Sequence, residues 1–172
     1  MLANGWPGKV VTMSTGRNVV LVHGAFVDGS TWRAVYDLLV ADGYDVAVVQ
    51  NSTLSLSGDV ATTRRVVDAQ DGPVVLVGHS YGGAVITEAG VHDRVTALVY
   101  IAAFAPDEGE SVRALVGDPA APGSPIVTVA EGLWCQDRAR FHGSFGADLS
   151  TSDAAFLSDS QVPWGATPWL GR

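Results

Sequence analysis

Val74-Val75-Leu76-Val77-Gly78-His79-Ser80-Tyr81-Gly82-Gly83-Ala84-Val85-Ile86-Thr87-Glu88-Ala89 passes from an apolar, β-branched run to a small-residue run that suits a helix. The junction carries Gly78-His79-Ser80-Tyr81-Gly82, a G-x-S-x-G motif between strand and helix, the pattern of a nucleophile elbow. A strand that turns into a helix with almost no loop forces the middle residue into a strained backbone conformation. Gly78 and Gly82 flank that residue because a Cβ at either place would collide with the neighbouring strand or helix. The strain lifts the Ser80 hydroxyl over the end of the sheet. It aims the Tyr81 N–H and the start of the helix at the place where an oxyanion would form. Ser80 is the candidate nucleophile.

Outward from this junction, strands and helices alternate. Asn18-Val19-Val20-Leu21-Val22 has no polar alternation, so it reads as a strand buried on both faces of a parallel sheet. A loop from His23 to Ser30 leads to a helix over Trp32–Asp42, capped by Ser30 or Thr31 and stopped by Gly43. Trp32, Val35, Leu38 and Leu39 are expected on its inner face. Val46-Ala47-Val48-Val49 is the next strand. A helix from the N-cap Ser57 to about Ala69 follows, with Val60 and Val67 inward and Gly72-Pro73 ending it. Val95–Phe104 is the fourth strand. The alternation gives an α/β chain with a doubly wound, mostly parallel sheet. Past Pro106 the periodicity weakens. Short helices are expected over Glu108–Val116, Asp137–Phe145 and Ser152–Ser158, the last capped by Ser152. A brief strand is expected at Ile126–Val129, and an irregular end from Val162 to Arg172. Three segments result: residues 1–17 as an N-terminal extension, 18–106 as the core, and 107–172 as a cap-like segment and irregular tail.

Composition narrows the function classes. The chain has 172 residues, 47% hydrophobic and only 16% charged, which argues for one domain with a buried sheet and against disorder. A formal net charge of -8 disfavours nucleic acid and anionic membranes as partners. The longest apolar stretch, Ala97–Ala105, is too short to span a bilayer. Residues Met1–Thr12 lack both a cationic and an apolar leader region, so no signal peptide is read. Cys135 is the single cysteine, which fits a reducing, cytoplasmic compartment and reads as a packed or partly exposed thiol. No histidine–carboxylate cluster has metal spacing and no nucleotide-binding loop is present, so neither metal nor cofactor is expected. Asp28-Gly29 lacks the remaining calcium ligands and reads as a turn.

Val19-Val20-Leu21-Val22-His23-Gly24-Ala25-Phe26, Gly78-His79-Ser80-Tyr81-Gly82-Gly83 and Leu98-Val99-Tyr100-Ile101-Ala102-Ala103-Phe104-Ala105-Pro106 together resemble the α/β-hydrolase fold. The likeness is greatest to small bacterial esterase-type members akin to the plant hydroxynitrile lyase and methylesterase branch, and it covers roughly Asn18 to Trp164. The resemblance implies an oxyanion hole from the N–H groups of Ala25 and Tyr81, a substrate pocket lined by Phe26, and a roofing cap after Pro106. It also implies that the family's two further strands, with the triad Asp and the triad His, fall past Arg172. The sheet is then incomplete on its C-terminal side, and Val95–Phe104 is left as an apolar edge prone to self-association unless the tail through Trp164 and Trp169 folds over it.

A serine hydroxyl needs a base within hydrogen-bond reach. Of the four histidines, His79 is expected to point away from Ser80, His23 to be a satisfied buried imidazole that orders its loop, and His92 to lie at the opposite end of the sheet. His142, in the cap-like segment, is the one in-chain candidate base. Asp107 is a candidate acid, although Asp107, Glu108 and Glu110 read better as the acidic first turn of a helix. The expected activity is hydrolysis of a small-molecule carboxylic ester by Ser80. The alternatives on the same pocket are a catalytically incomplete module that binds a ligand or a protein, and a lyase.

Overall fold

Four apolar segments rich in β-branched residues form the central sheet. The computed structural model describes residues 17–107, 110–112, 115, 117 and 121–165. Strands β1 (Asn18–Val22), β2 (Asp45–Val48), β3 (Val74–His79) and β4 (Val95–Ile101) pair in parallel in the order β2-β1-β3-β4. β1 is buried throughout and β3 nearly so. Helices α1 (Arg33–Ala41), α2 (Leu56–Asp68) and α3 (Tyr81–Ala89) connect them. The larger core lies where α2 and α3 meet the sheet, around Val20, Val22, Leu76, Val85 and Ile86, and a smaller one gathers Val19, Leu21, Trp32 and Val77. This is the doubly wound α/β sheet that the sequence implies.

The caps fall two or three residues before where the sequence places them. Asp28, not Ser30 or Thr31, caps the first turn, its carboxylate accepting from the Ser30 N–H, and that turn is a 3-10 helix, Gly29–Trp32, ahead of α1. Ser55, not Ser57, caps α2 by accepting from the Gly58 N–H. In each case the residue with extended backbone immediately before the first turn wins, whatever the local abundance of hydroxyls. Gly43 ends α1 with φ +82, as expected. The inner face of α1 is narrower than its periodicity implies: Trp32 and Leu39 pack against the core, while Val35 is 36% and Leu38 68% exposed.

Past the main sheet, β5 (Ile126–Ala130), β6 (Leu133–Gln136) and β7 (Trp164–Gly165) form a small antiparallel sheet in the order β5-β6-β7, with the helices α4 (Phe141–Ser144) and α5 (Thr151–Asp159) between β6 and β7. The expected helix at Asp137–Phe145 shrinks to one turn. Ser150, not Ser152, caps α5 by accepting from the Asp153 N–H. The expected irregular end contains β7. The helix expected over Glu108–Val116, the extension up to Gly16 and the tail after Gly165 lie wholly or mostly outside the described residues.

Candidate active site

Ser80 stands between β3 and α3 with φ 52 and ψ -122, a conformation that L residues adopt only under constraint. The constraint is steric. A Cβ on Gly78 would lie 2.6 Å from the Gly82 carbonyl oxygen, and one on Gly82 would lie 2.5 Å from that of Val22. One on Gly83 would strike the carbonyl oxygen of Phe104. Strand, turn and helix can close this tightly only with glycine at these positions. The turn is fastened on both sides: the Ser80 N–H donates to the Ile101 carbonyl at 3.3 Å, and the Ser80 carbonyl accepts from Gly83 and Phe104 N–H groups at 3.0 and 3.1 Å. The side chain is half-buried, and among the described residues its hydroxyl has no hydrogen-bond partner.

The loop after β1 comes up against this residue. A Cβ on Gly24 would sit 2.9 Å from the Ser80 Cβ. Ala25 and Phe26 follow, each 5% exposed, and Phe26 has φ 69. The Phe26 ring meets the Trp164 indole edge-on at 5.4 Å, and Tyr81 meets the same indole at 5.6 Å. Tyr81 begins α3, so its N–H is one of the orphan donors at a helix start. Its side chain is fully buried and donates to Asp59 Oδ2 at 2.8 Å. Sequence reasoning singled out neither Asp59 nor Thr53, and no motif or spacing marks them.

Among the described residues, the non-glycine positions with positive φ are Phe26, Thr53, Ser80 and Ala102. One follows each of the strands β1, β2, β3 and β4. Backbone strain is thus gathered at the C-terminal edge of the sheet, the edge where open parallel sheets place their ligands.

The histidines divide as the sequence expects, with one gain in detail. His23 is buried, its Nε2 accepting from the Asn51 N–H at 2.9 Å and its Nδ1–H donating to the Gly24 carbonyl at 2.9 Å. It joins the loops after β1 and β2, and burial pushes its pKa down, keeping the ring neutral. His79 packs edge-on against Trp32 at 6.4 Å, beside Ile101 and Leu157, and burial lowers its pKa as well. His92 holds Asp68 at 3.0 Å near the start of β4. His142 pairs with the Leu149 carbonyl at 3.1 Å, in a groove with Arg138, Phe141 and Ser158. Asp107 is exposed, and its N–H donates to Glu110 Oε2 at 2.8 Å, a cap-type contact. None of these groups is hydrogen-bonded to Ser80. Cys135 is half-buried, and burial raises its pKa. Among the described residues no cluster of His, Cys, Asp and Glu could hold a metal, and no helix is long and apolar enough to cross a membrane.

Curated relatives share much of this sequence. A carbendazim-hydrolysing esterase of Nocardioides is 37% identical over 58% of this chain and 47% of its own length. A pyrethroid hydrolase of Sphingobium wenxiniae is 31% identical over 92% of this chain and 67% of its own. A tobacco salicylic acid-binding protein is 33% identical over 55% of this chain and 42% of its own. This chain therefore spans about half the length of the curated relatives it matches. Among solved structures, polyneuridine aldehyde esterase superposes with a TM-score of 0.74 at 18% identity, covering 91% of this chain and 73% of that one. A pyrethroid hydrolase crystal structure gives 0.72 at 23%, covering 88% and 69%. These two establish a shared fold. A model of the alpha/beta hydrolase family matches residues 19–171, and with the strand order and the strained Gly78–Gly82 turn it makes this chain a member of that family.

Proposed function

We propose that this chain carries the nucleophile and oxyanion donors of a serine hydrolase for small carboxylic esters. The observation that carries the reading is Ser80 itself: strained at φ 52, half-exposed, its hydroxyl unpartnered among the described residues, at the sheet edge where Gly24 closes against it. In this reading Ser80 Oγ attacks the ester carbonyl. The N–H groups of Ala25 and Tyr81 receive the oxyanion, the alcohol leaves, and water then releases the acid from the acyl-serine. Phe26 bounds the acyl side through the loop it holds. The esterases and hydrolases among the relatives support the reaction class. A base must deprotonate Ser80 for full rate. The contact of His142 with the Leu149 carbonyl argues against that histidine as the base.

The test is hydrolysis of a chromogenic acetate ester beside Ser80→Ala, with fluorophosphonate labelling of both. Turnover and labelling that vanish in the variant are expected. Turnover unchanged by the substitution would refute Ser80. A second reading is a module that binds a small ligand or a protein without chemistry, supported by the observation that no described histidine is hydrogen-bonded to Ser80. Absence of both turnover and labelling, with retained binding of an ester analogue, would select it.

The same reading includes an association state. β4 is the outer strand of the main sheet among the described residues, and Val99, Tyr100 and Ile101 are 42%, 38% and 42% exposed. An apolar edge of this kind pairs with a second copy, antiparallel about a two-fold axis.

A further inference from the structure

Tyr81 has two ends in this site. Its backbone begins α3 beside Ser80, and its hydroxyl reaches across to α2. The acceptor there, Asp59, lies in the first turn of α2 and is 0% exposed. Its Oδ2 takes the Tyr81 hydroxyl at 2.8 Å, while its Oδ1 takes the Thr53 N–H at 3.2 Å and the Ser52 hydroxyl at 3.3 Å. Every one of these partners is a donor, so the ionised carboxylate is the form the network satisfies. Asp59 is not serving its own helix. Ser55 already caps α2, and no N–H of α2 is among the partners of Asp59.

The second branch runs through Thr53, which has φ 56. Its hydroxyl donates to the Pro163 carbonyl at 2.9 Å, and its carbonyl accepts from the Gly165 N–H at 2.8 Å. These bonds fix β7, whose Trp164 indole touches Phe26 and Tyr81 at centroid distances of 5.4 and 5.6 Å. One buried carboxylate therefore restrains residue 81 directly and restrains the loop of residues 24–26 through Trp164. Residues 25 and 81 are the two whose N–H groups receive the oxyanion in the reading above.

We infer that Asp59 is a positioning residue: it holds the Tyr81 and Ala25 N–H groups in register with Ser80, by way of the Tyr81 hydroxyl and of the Thr53–Trp164 bridge. The inference rests on the ester-hydrolase reading of Ser80. Donors to an oxyanion act in the transition state and little in the ground state, so misalignment reduces kcat and leaves KM.

The experiment uses Tyr81→Phe, Asp59→Asn and the double variant in the full chain. It reads kcat and KM on a chromogenic acetate ester, and the amide signal of residue 81 by 1H–15N NMR. Tyr81→Phe should lower kcat about tenfold with KM within about twofold, a fraction of what removing a donor outright costs. Asp59→Asn should lose less, because its amide oxygen still accepts from Thr53 while its amide N–H can donate to the Tyr81 hydroxyl oxygen, keeping a link that Tyr81→Phe removes. The double variant should be no worse than Tyr81→Phe alone, since both act through one bond. The residue-81 amide should shift and exchange faster with solvent in Tyr81→Phe. An unchanged amide, or a lower melting temperature with kcat and KM intact, would overturn the inference. If Ser80→Ala leaves ester turnover unchanged, the reaction reading fails, and the amide signal alone still decides whether Asp59 positions residue 81.

Discussion

Ser80, Phe26, Thr53 and Ala102 hold left-handed backbone that no glycine relieves, and each such residue costs roughly 1–3 kcal/mol. The surrounding contacts must over-determine them, which makes the flanking glycines brittle. Gly82→Ala would drive a Cβ to 2.5 Å from the Val22 carbonyl oxygen, so a loss of about 1–3 kcal/mol or more is expected in denaturant unfolding. Gly143→Ala in α4 meets nothing within 4 Å, and a gain of about 0.4–1 kcal/mol is expected in the same measurement. His23 and His79 bring a pH dependence of definite sign. Burial holds their folded pKa values below the ordinary histidine value of 6.5. The stability they contribute is full above pH 6.5 and is lost as pH falls from there toward the folded values, because the unfolded chain takes up the protons first. Asp59 has the opposite sign: its pKa is raised from 3.8 by burial, so its share is lost as pH rises through the folded value. His23→Gln should therefore flatten the decline in stability below pH 6.5, read from melting temperature against pH.

The elements differ in how far the sequence foretells them. β1, β3 and α3 are legible because each carries a single dominant cause: a continuous apolar run, or glycines that only a tight turn demands. The Gly78–Gly82 turn and the places of His23 and His92 follow from such local causes, whereas the Ala25–Phe26 loop is expected only from the family resemblance. β6 and β7 are not legible. Leu133-Trp134-Cys135-Gln136 has no alternation, and Trp164-Gly165 is a pair of residues that becomes a strand only because Thr53 and β6 offer partners. Nor is Asp59, since a carboxylate shared between the loop before its own helix and the first residue of α3 leaves no spacing to read. α1 marks the reverse failure, an apolar stripe wider than the face it buries. Leu38→Lys is accordingly expected to change stability by no more than about 0.5 kcal/mol. Ile86→Ala, at 0% exposure in α3, should cost about 2–5 kcal/mol in the same denaturant titration.

Across the whole molecule, a net charge of -8 works against the self-association proposed for the exposed apolar strand β4. Raising salt screens the charge and spares the apolar contact, so light scattering should report more of the dimer at high ionic strength. Val99→Lys should return the monomer. A strict monomer at every salt concentration would show that β4 pairs with no second copy.

The place of Trp164 gives the site a history as well as a geometry. Synthesis delivers β1, β3 and the turn at Ser80 to the exit tunnel well before the indole that lies between Phe26 and Tyr81. A nascent polypeptide can fold its sheet while the recess beside the serine is still slack. Ribosome-stalled chains ending before and after Trp164 should thus share a protease-resistant core and differ in their reactivity toward a phosphonate probe.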